Sequence, residues 1–130
     1  TELAAVDYLR NEGVLNYDQL DYRGIDPLGD VWKCIWTDIK TYFGDGIQFY
    51  PNDILQLVDI IVKHSWVPDV LIFQYVFSDM YKHSNEEEII QFINKLAGFL
   101  NLYDEKPIYI LCNDINLSKS MGGGREFFDI

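Results

Sequence analysis

The chain has 130 residues, of which 48% are hydrophobic and 15% aromatic, which excludes a disordered segment and suffices for one globular domain with one core. Ten Lys and Arg against 21 Asp and Glu leave a net charge of −11, which argues against a segment that grips nucleic acid through a basic face. No apolar run approaches the ~18 residues of a membrane span, and the start shows no signal-peptide pattern, so a cytoplasmic protein is expected.

Residues 2–12, "ELAAVDYLRNE", space Leu3, Val6 and Leu9 as one face of a helix, and Gly13 is suited to end it. "DYRGID", 21–26, reads as a short first strand. The following "DPLGDVWKCIWTDIKTYFG" reads as a loop and a helix with Val31, Cys34, Ile35, Ile39 and Phe43 as its stripe and Gly44 as its stop. "GIQFY", 46–50, is the second strand, Pro51 breaks it, and Asn52 or Asp53 can cap the next helix. That helix, "DILQLVDIIVKHSW", carries Ile54, Leu57, Val58, Ile61 and Val62 on one face. "DVLIFQYV" is the third strand. Ser84 or Asn85 caps a further helix whose first turn holds glutamates, as the helix dipole prefers, with Ile89, Phe92, Ile93, Leu96 and Leu100 as its stripe. "KPIYILCND", 106–114, is the fourth strand, and the glycine-containing tail leads towards a further element.

Helix and strand alternate four times. This pattern predicts an α/β fold, three-layer and Rossmann-like, with a mostly parallel sheet and helices on both faces. The third and fourth strands are continuously apolar, as strands covered on both faces are. Such sheets bind ligands beyond the carboxyl ends of their strands. Here the first strand ends on Asp26 and the second on Pro51, Asn52 and Asp53. The third ends on "QYVFSD", Gln74 to Asp79, and the fourth on "NDIN", Asn113 to Asn116. Four polar strand ends in register predict one ligand rim. A carboxylate at Asp26 can accept both hydroxyls of a ribose, and an Asp or Asn at the next strand end can meet an adenine amino group. Neither a G-x-G-x-x-G fingerprint nor a P-loop lysine accompanies them, and "GGGR" at 122–125 is a weak phosphate cradle. A nucleoside-type ligand without a pyrophosphate fits better than NAD or ATP.

The runs "YRGIDP", "IQFYPNDI", "DVLIFQYVFSDM" and "IYILCNDIN" resemble the second to fifth strands of class I S-adenosylmethionine-dependent methyltransferases. The resemblance covers residues 2 to 116. It implies S-adenosylmethionine as cofactor, with Asp26 on its ribose, Asn52 and Asp53 near its adenine, and Gln74 to Asp79 on the side of the methyl donor and acceptor. The family's glycine-rich loop after the first strand is not in this sequence. The opening helix matches the one that follows that loop, so the loop and the central strand would precede Thr1, and the substrate-binding hairpin would follow Ile130. Residues 1–130 are accordingly expected to form a single incomplete methyltransferase-like domain, completed by the rest of a longer chain. The methyl acceptor is unknown.

Methyl transfer asks mainly for alignment of donor and acceptor. Asp79 is the candidate general base, with Tyr75 and Gln74 orienting the acceptor. His64 and His83 lie near helix ends and read as solvated or capping residues, with no metal ligands around them. Trp32 and Trp36, four apart, read as core. Trp66 could line an apolar pocket with them. Cys34 and Cys112 read as buried free thiols in a reducing compartment. Arg125 and Glu126, after three glycines, form either a lid or a linker. Two other classes compete. One is a non-catalytic Rossmann-like scaffold module. The other is a GDSL-type serine esterase, for which "VFSD" lacks the Gly and Asn of the oxyanion block and no Gly-Asp-Ser nucleophile exists.

Overall fold

The computed structural model describes residues 2–14, 20–103, 106–115 and 118–121. It is α/β, with helices alternating with parallel strands, and it divides into two compact units, Thr1–Ile54 and Leu55–Ile130.

The first unit opens with α1, Glu2–Asn11. Gly13, at φ +70°, ends it: the Gly13 N–H donates to the Arg10 carbonyl at 2.9 Å and the Val14 N–H to the Leu9 carbonyl at 2.9 Å. This is a Schellman closure, which satisfies two carbonyls that the helix leaves unpaired. Strand β1, Tyr22–Ile25, pairs in parallel with β2, Ile47–Tyr50, in the register Tyr22↔Ile47 to Ile25↔Tyr50. The crossover between them is α2, Gly29–Phe43. Its first residue is buried against Pro51, where a Cβ would collide with the proline, so glycine alone permits that approach. Trp36 of α2 stacks on Phe49 of β2 with ring centres 4.6 Å apart. The helix therefore turns Trp36, Ile39 and Phe43 inward, while Leu28, Val31, Trp32, Cys34 and Ile35 are exposed. The expected stripe is rotated, and of Trp32 and Trp36 only the second is packed, because Phe49 offers a flat ring to one face only.

A 3-10 turn, Ile54–Gln56, begins at the last residue of the first unit and leads into α3, Leu57–His64, of the second. The α-helical N-cap is Gln56, not Asn52 or Asp53. Leu57, Val58, Ile60 and Ile61 are buried, whereas Val62 is exposed. Strand β3, Val70–Gln74, pairs in parallel with β4, Tyr109–Asn113, from Val70↔Tyr109 to Gln74↔Asn113. Between them lie two helices. Helix α4, Val76–His83, occupies residues expected to be strand end and loop. Helix α5, Glu86–Leu100, starts at a capping box: Asn85 accepts from the Glu88 N–H and Glu88 accepts from the Asn85 N–H, both at 2.9 Å. Lys95 of α5 reaches Asp59 of α3 at 2.6 Å.

The core of this unit gathers Leu57, Val58, Ile60, Ile61, Leu71, Phe73, Met80, Ile89, Phe92 and Phe99. Strand β3 buries one face, Leu71 and Phe73. The other face of the pair is exposed: Val70 45%, Ile72 45%, Tyr109 65% and Leu111 55%. The apolar runs predicted cover on both faces. Among the described residues β3 has it on one face and β4 on neither. Both cysteines are exposed free thiols, a correction to the expectation that they are buried. Cys34 lies on the outward side of α2, and Cys112 lies on β4, which no described element covers. No described helix is long and apolar enough to cross a membrane.

Candidate functional site

Parallel pairing brings the carboxyl ends of neighbouring strands to one edge, and each unit has such an edge. In the first unit the ladder runs one residue past the strands, the Asp26 N–H donating to the Tyr50 carbonyl at 3.1 Å. Asp26 thus stands beside the start of the Pro51–Asn52–Asp53 segment. Its Oδ1 accepts from the Leu28 N–H at 2.7 Å and its carbonyl accepts from the Gly29 N–H at 3.1 Å. This is an Asx turn closed by "DPLG", with proline fixing the corner. Asp26 is half-buried, and its second carboxylate oxygen accepts nothing from the described residues. Asn52 is half-buried and Asp53 exposed. Asp26 and the Asn52–Asp53 pair thus lie at the same strand edge. A cavity of about 370 Å³ in this unit lies elsewhere, along Gln48 to Tyr50 with Lys40 and Asp45 on its wall, and includes none of Asp26, Asn52 and Asp53. Its Tyr50 wall is anchored by Arg23, whose guanidinium meets Asp21 at 2.9 Å and the Tyr50 hydroxyl at 3.3 Å.

In the second unit β3 stops at Gln74, and Tyr75 turns the chain at φ +56°, ψ +17° into α4. A bulky side chain in this left-handed region costs roughly 1–2 kcal/mol. Three contacts hold it there. The Tyr75 N–H donates to the Asn113 carbonyl at 2.8 Å, and its own carbonyl accepts from the Ser78 hydroxyl at 3.0 Å and the Asp79 N–H at 3.3 Å. From the end of β4, Asp114 reaches across, and its Oδ2 accepts from the N–H groups of Phe77 at 2.7 Å and Ser78 at 3.1 Å. Those are first-turn N–H groups of α4, without partners in their own helix, so Asp114 caps a helix 36 residues away in the chain. A carboxylate at a helix N-terminus is favoured by the dipole as well as by the hydrogen bonds. It also occupies the position that an anionic ligand would take. The nearby Cys112 thiol is pushed above its ordinary pKa, first by desolvation of the sulfur and then by the Asp114 charge. Its nucleophilic thiolate is correspondingly disfavoured.

Gln74 is half-buried and sits opposite Asn113, so these two amides share the edge. Tyr75 is 53% exposed at its corner. Ser78 is buried, its hydroxyl committed to the Tyr75 carbonyl. Asp79 is in the first turn of α4 and not at the strand end, exposed to solvent with His83 Nε2 at 3.6 Å. His64 is exposed at the end of α3. Asn116, Arg125 and Glu126 lie outside the described residues. Among the described residues no three His, Cys, Asp or Glu side chains cluster as a metal site would require. The cap supplied by Asp114 and the left-handed Tyr75 went unread in the sequence. The signal for the first is an Asp just past a strand, which has too many meanings to single out one.

Comparison with known protein families, with curated proteins and with solved structures finds no match for this chain.

Proposed function

We propose that this chain performs S-adenosylmethionine-dependent methyl transfer, on a class I methyltransferase-like fold, to an acceptor still to be identified. The register of β1 against β2 carries the reading. It sets a half-buried carboxylate, Asp26, whose second oxygen accepts nothing from the described residues, at the same strand edge as Asn52 and Asp53, a pattern suited to a ribose and an adenine. Gln74, Tyr75 and Asp79 belong to the methyl-acceptor side, Tyr75 and Gln74 orienting the acceptor and Asp79 serving as general base.

The fold implied is three-layer and Rossmann-like, with a single mostly parallel sheet and helices on both faces. Strand order 3-2-1-4-5 leaves two parallel pairs when its central strand is set aside, and β1–β2 with β3–β4 are two parallel pairs. The missing strand would come from the rest of the chain. A reducing cytoplasm is the compartment this reading expects, because exposed thiols such as Cys34 and Cys112 persist where reductants keep them. A second reading, a scaffold module without catalysis, is favoured by one observation, the exposed apolar face of Val70, Ile72, Tyr109 and Leu111.

Calorimetric titration of S-adenosylhomocysteine into the full protein, with NAD and adenosine as controls, tests the proposal. Micromolar binding of S-adenosylhomocysteine with weak or no binding of NAD is expected. Asp26→Ala should weaken it by at least ~1.5 kcal/mol, the scale of hydrogen bonds to a charged group. A folded protein that ignores S-adenosylhomocysteine overturns the methyltransferase reading and leaves the scaffold. Unchanged affinity in Asp26→Ala removes that residue from the ribose.

A further inference from the structure

Tyr75 is held in a backbone conformation that L side chains rarely adopt, at φ +56°. Glycine would turn the same corner without the steric conflict, and asparagine would tolerate it better. What a tyrosine adds over them is its side chain, and at 53% exposure the phenol is not there chiefly for packing. Strain of this kind persists only where the surroundings over-determine it, and it collects at functional positions. Here the surroundings come from two directions. Ser78, 2% exposed, bonds the Tyr75 carbonyl from within α4 at 3.0 Å. Asp114, from β4, binds the next two N–H groups, those of Phe77 and Ser78, and its Oδ1 accepts from the Ile115 N–H at 2.7 Å, which fixes the carboxylate itself.

We infer that the Tyr75 phenol is presented to the ligand at the carboxyl end of β3, and that Asp114 and Ser78 are the positioning residues that aim it. The identity of the ligand rests on the methyl-transfer reading, whereas the positioning does not. Asp114 acts through the backbone: its two hydrogen bonds start α4 at Val76, and that leaves Tyr75 as the corner. The Ser78 hydroxyl then closes the corner from inside. Neither residue is proposed to touch the ligand.

Fluorine NMR of the full protein labelled with 3-fluorotyrosine tests this, the Tyr75 signal being assigned by its loss in Tyr75→Phe. Asp114→Ala and Ser78→Ala should each shift or broaden the Tyr75 signal and leave distant tyrosine signals in place. Asp114→Asn should restore it, since the amide oxygen can still accept from Phe77 and Ser78. A general loss of structure would move every signal. If Asp114→Ala does so, Ser78→Ala, which removes one hydroxyl, decides. S-adenosylhomocysteine should move the Tyr75 signal in the unmodified protein and bind at least fivefold more weakly to the Asp114→Ala or Ser78→Ala variant that stays folded. A Tyr75 signal indifferent to Asp114→Ala and Ser78→Ala overturns the positioning role. A ligand that binds by calorimetry without moving the signal overturns the presentation of the phenol. Failure of S-adenosylhomocysteine to bind at all sinks the cofactor reading instead, and the variant spectra still decide the positioning.

Discussion

The two units build the same parallel strand–crossover–strand motif and finish it differently. In the first, the residue after β1 is Asp26, which folds its own side chain and carbonyl onto the next turn. Beyond the ladder bond from the Asp26 N–H to the Tyr50 carbonyl, the bonds that shape the corner are local, and proline and glycine take the awkward positions. In the second, the residue after β3 is an aromatic one in the left-handed region, and the bonds that shape the corner come both from Ser78 and Asp79 of α4 and from Asn113 and Asp114 at the end of the neighbouring strand. A local corner is inexpensive and tolerant of substitution. A corner assembled from distant parts resists change, and it holds its side chain in one place. The contrast teaches where to look for rigid presentation of a functional group: at Tyr75 and not at Asp26, whose task in the proposed site is to accept hydrogen bonds.

Substitutions sharpen this contrast. The largest effect is expected at the one-sided core: Phe73→Ala should cost about 3–5 kcal/mol in urea unfolding, whereas Ile72→Ser, next along the strand but on the exposed face, should cost under ~1 kcal/mol. Equal costs would mean that the exposed face is covered in solution. Asp114→Ala should come next at about 2 kcal/mol, through loss of two charge-assisted capping bonds, and Asp26→Ala should lose about 1 kcal/mol with its single N–H partner. The reverse order would break the distinction between a distant and a local corner. Of similar size, the backbone contribution of glycine should differ in sign between the two units. Tyr75→Gly should offset part of its lost side-chain contacts by ~1 kcal/mol of relieved backbone strain, while Gly13→Ala at φ +70° should lose ~1 kcal/mol.

A last effect is confined to alkaline pH. Burial, and secondarily Glu2, pushes the Tyr22 phenol from 10.0 up to about 12. The folded state then holds a proton that the unfolded chain has released, so stability from this group is present below pH 10 and declines as pH rises towards 12. Tyr22→Phe should lose that portion of the alkaline decline. An identical alkaline curve in the variant would show that Tyr22 titrates normally.

All four strands and four of the five helices were legible, because their periodicities and breakers are local. Gly13, Gly44 and Asn85 with Glu88 terminate or start helices by rules that need only a few neighbouring residues. Helix α4 was not legible. The apolar run from Val70 to Val76 continues past the point where the strand stops, and a left-handed tyrosine leaves no mark in residue type. The cap from Asp114 was hidden for a different reason, since its partners lie 36 and 37 residues away. Burial was over-read in β4 and at both cysteines. An apolar run says that a segment prefers cover, not that a neighbour supplies it. Of the candidate site, Asp26 and Asn52 were placed at one edge by alternation alone, whereas the move of Asp79 from strand end to helix followed from the hidden corner.

The long reach of Asp114 has a kinetic consequence. Helix α4 has eight residues, too few to persist by itself in water. Its first turn acquires a cap only when β4 has paired with β3, which closes a loop of more than thirty residues. The helix is therefore a late event in the folding of its unit, forming after β4, the last of the described strands, and not when its own residues first become available. The amides of Phe77 and Ser78 would then gain protection from exchange together with β4, as members of one cooperative group rather than as part of a local helix.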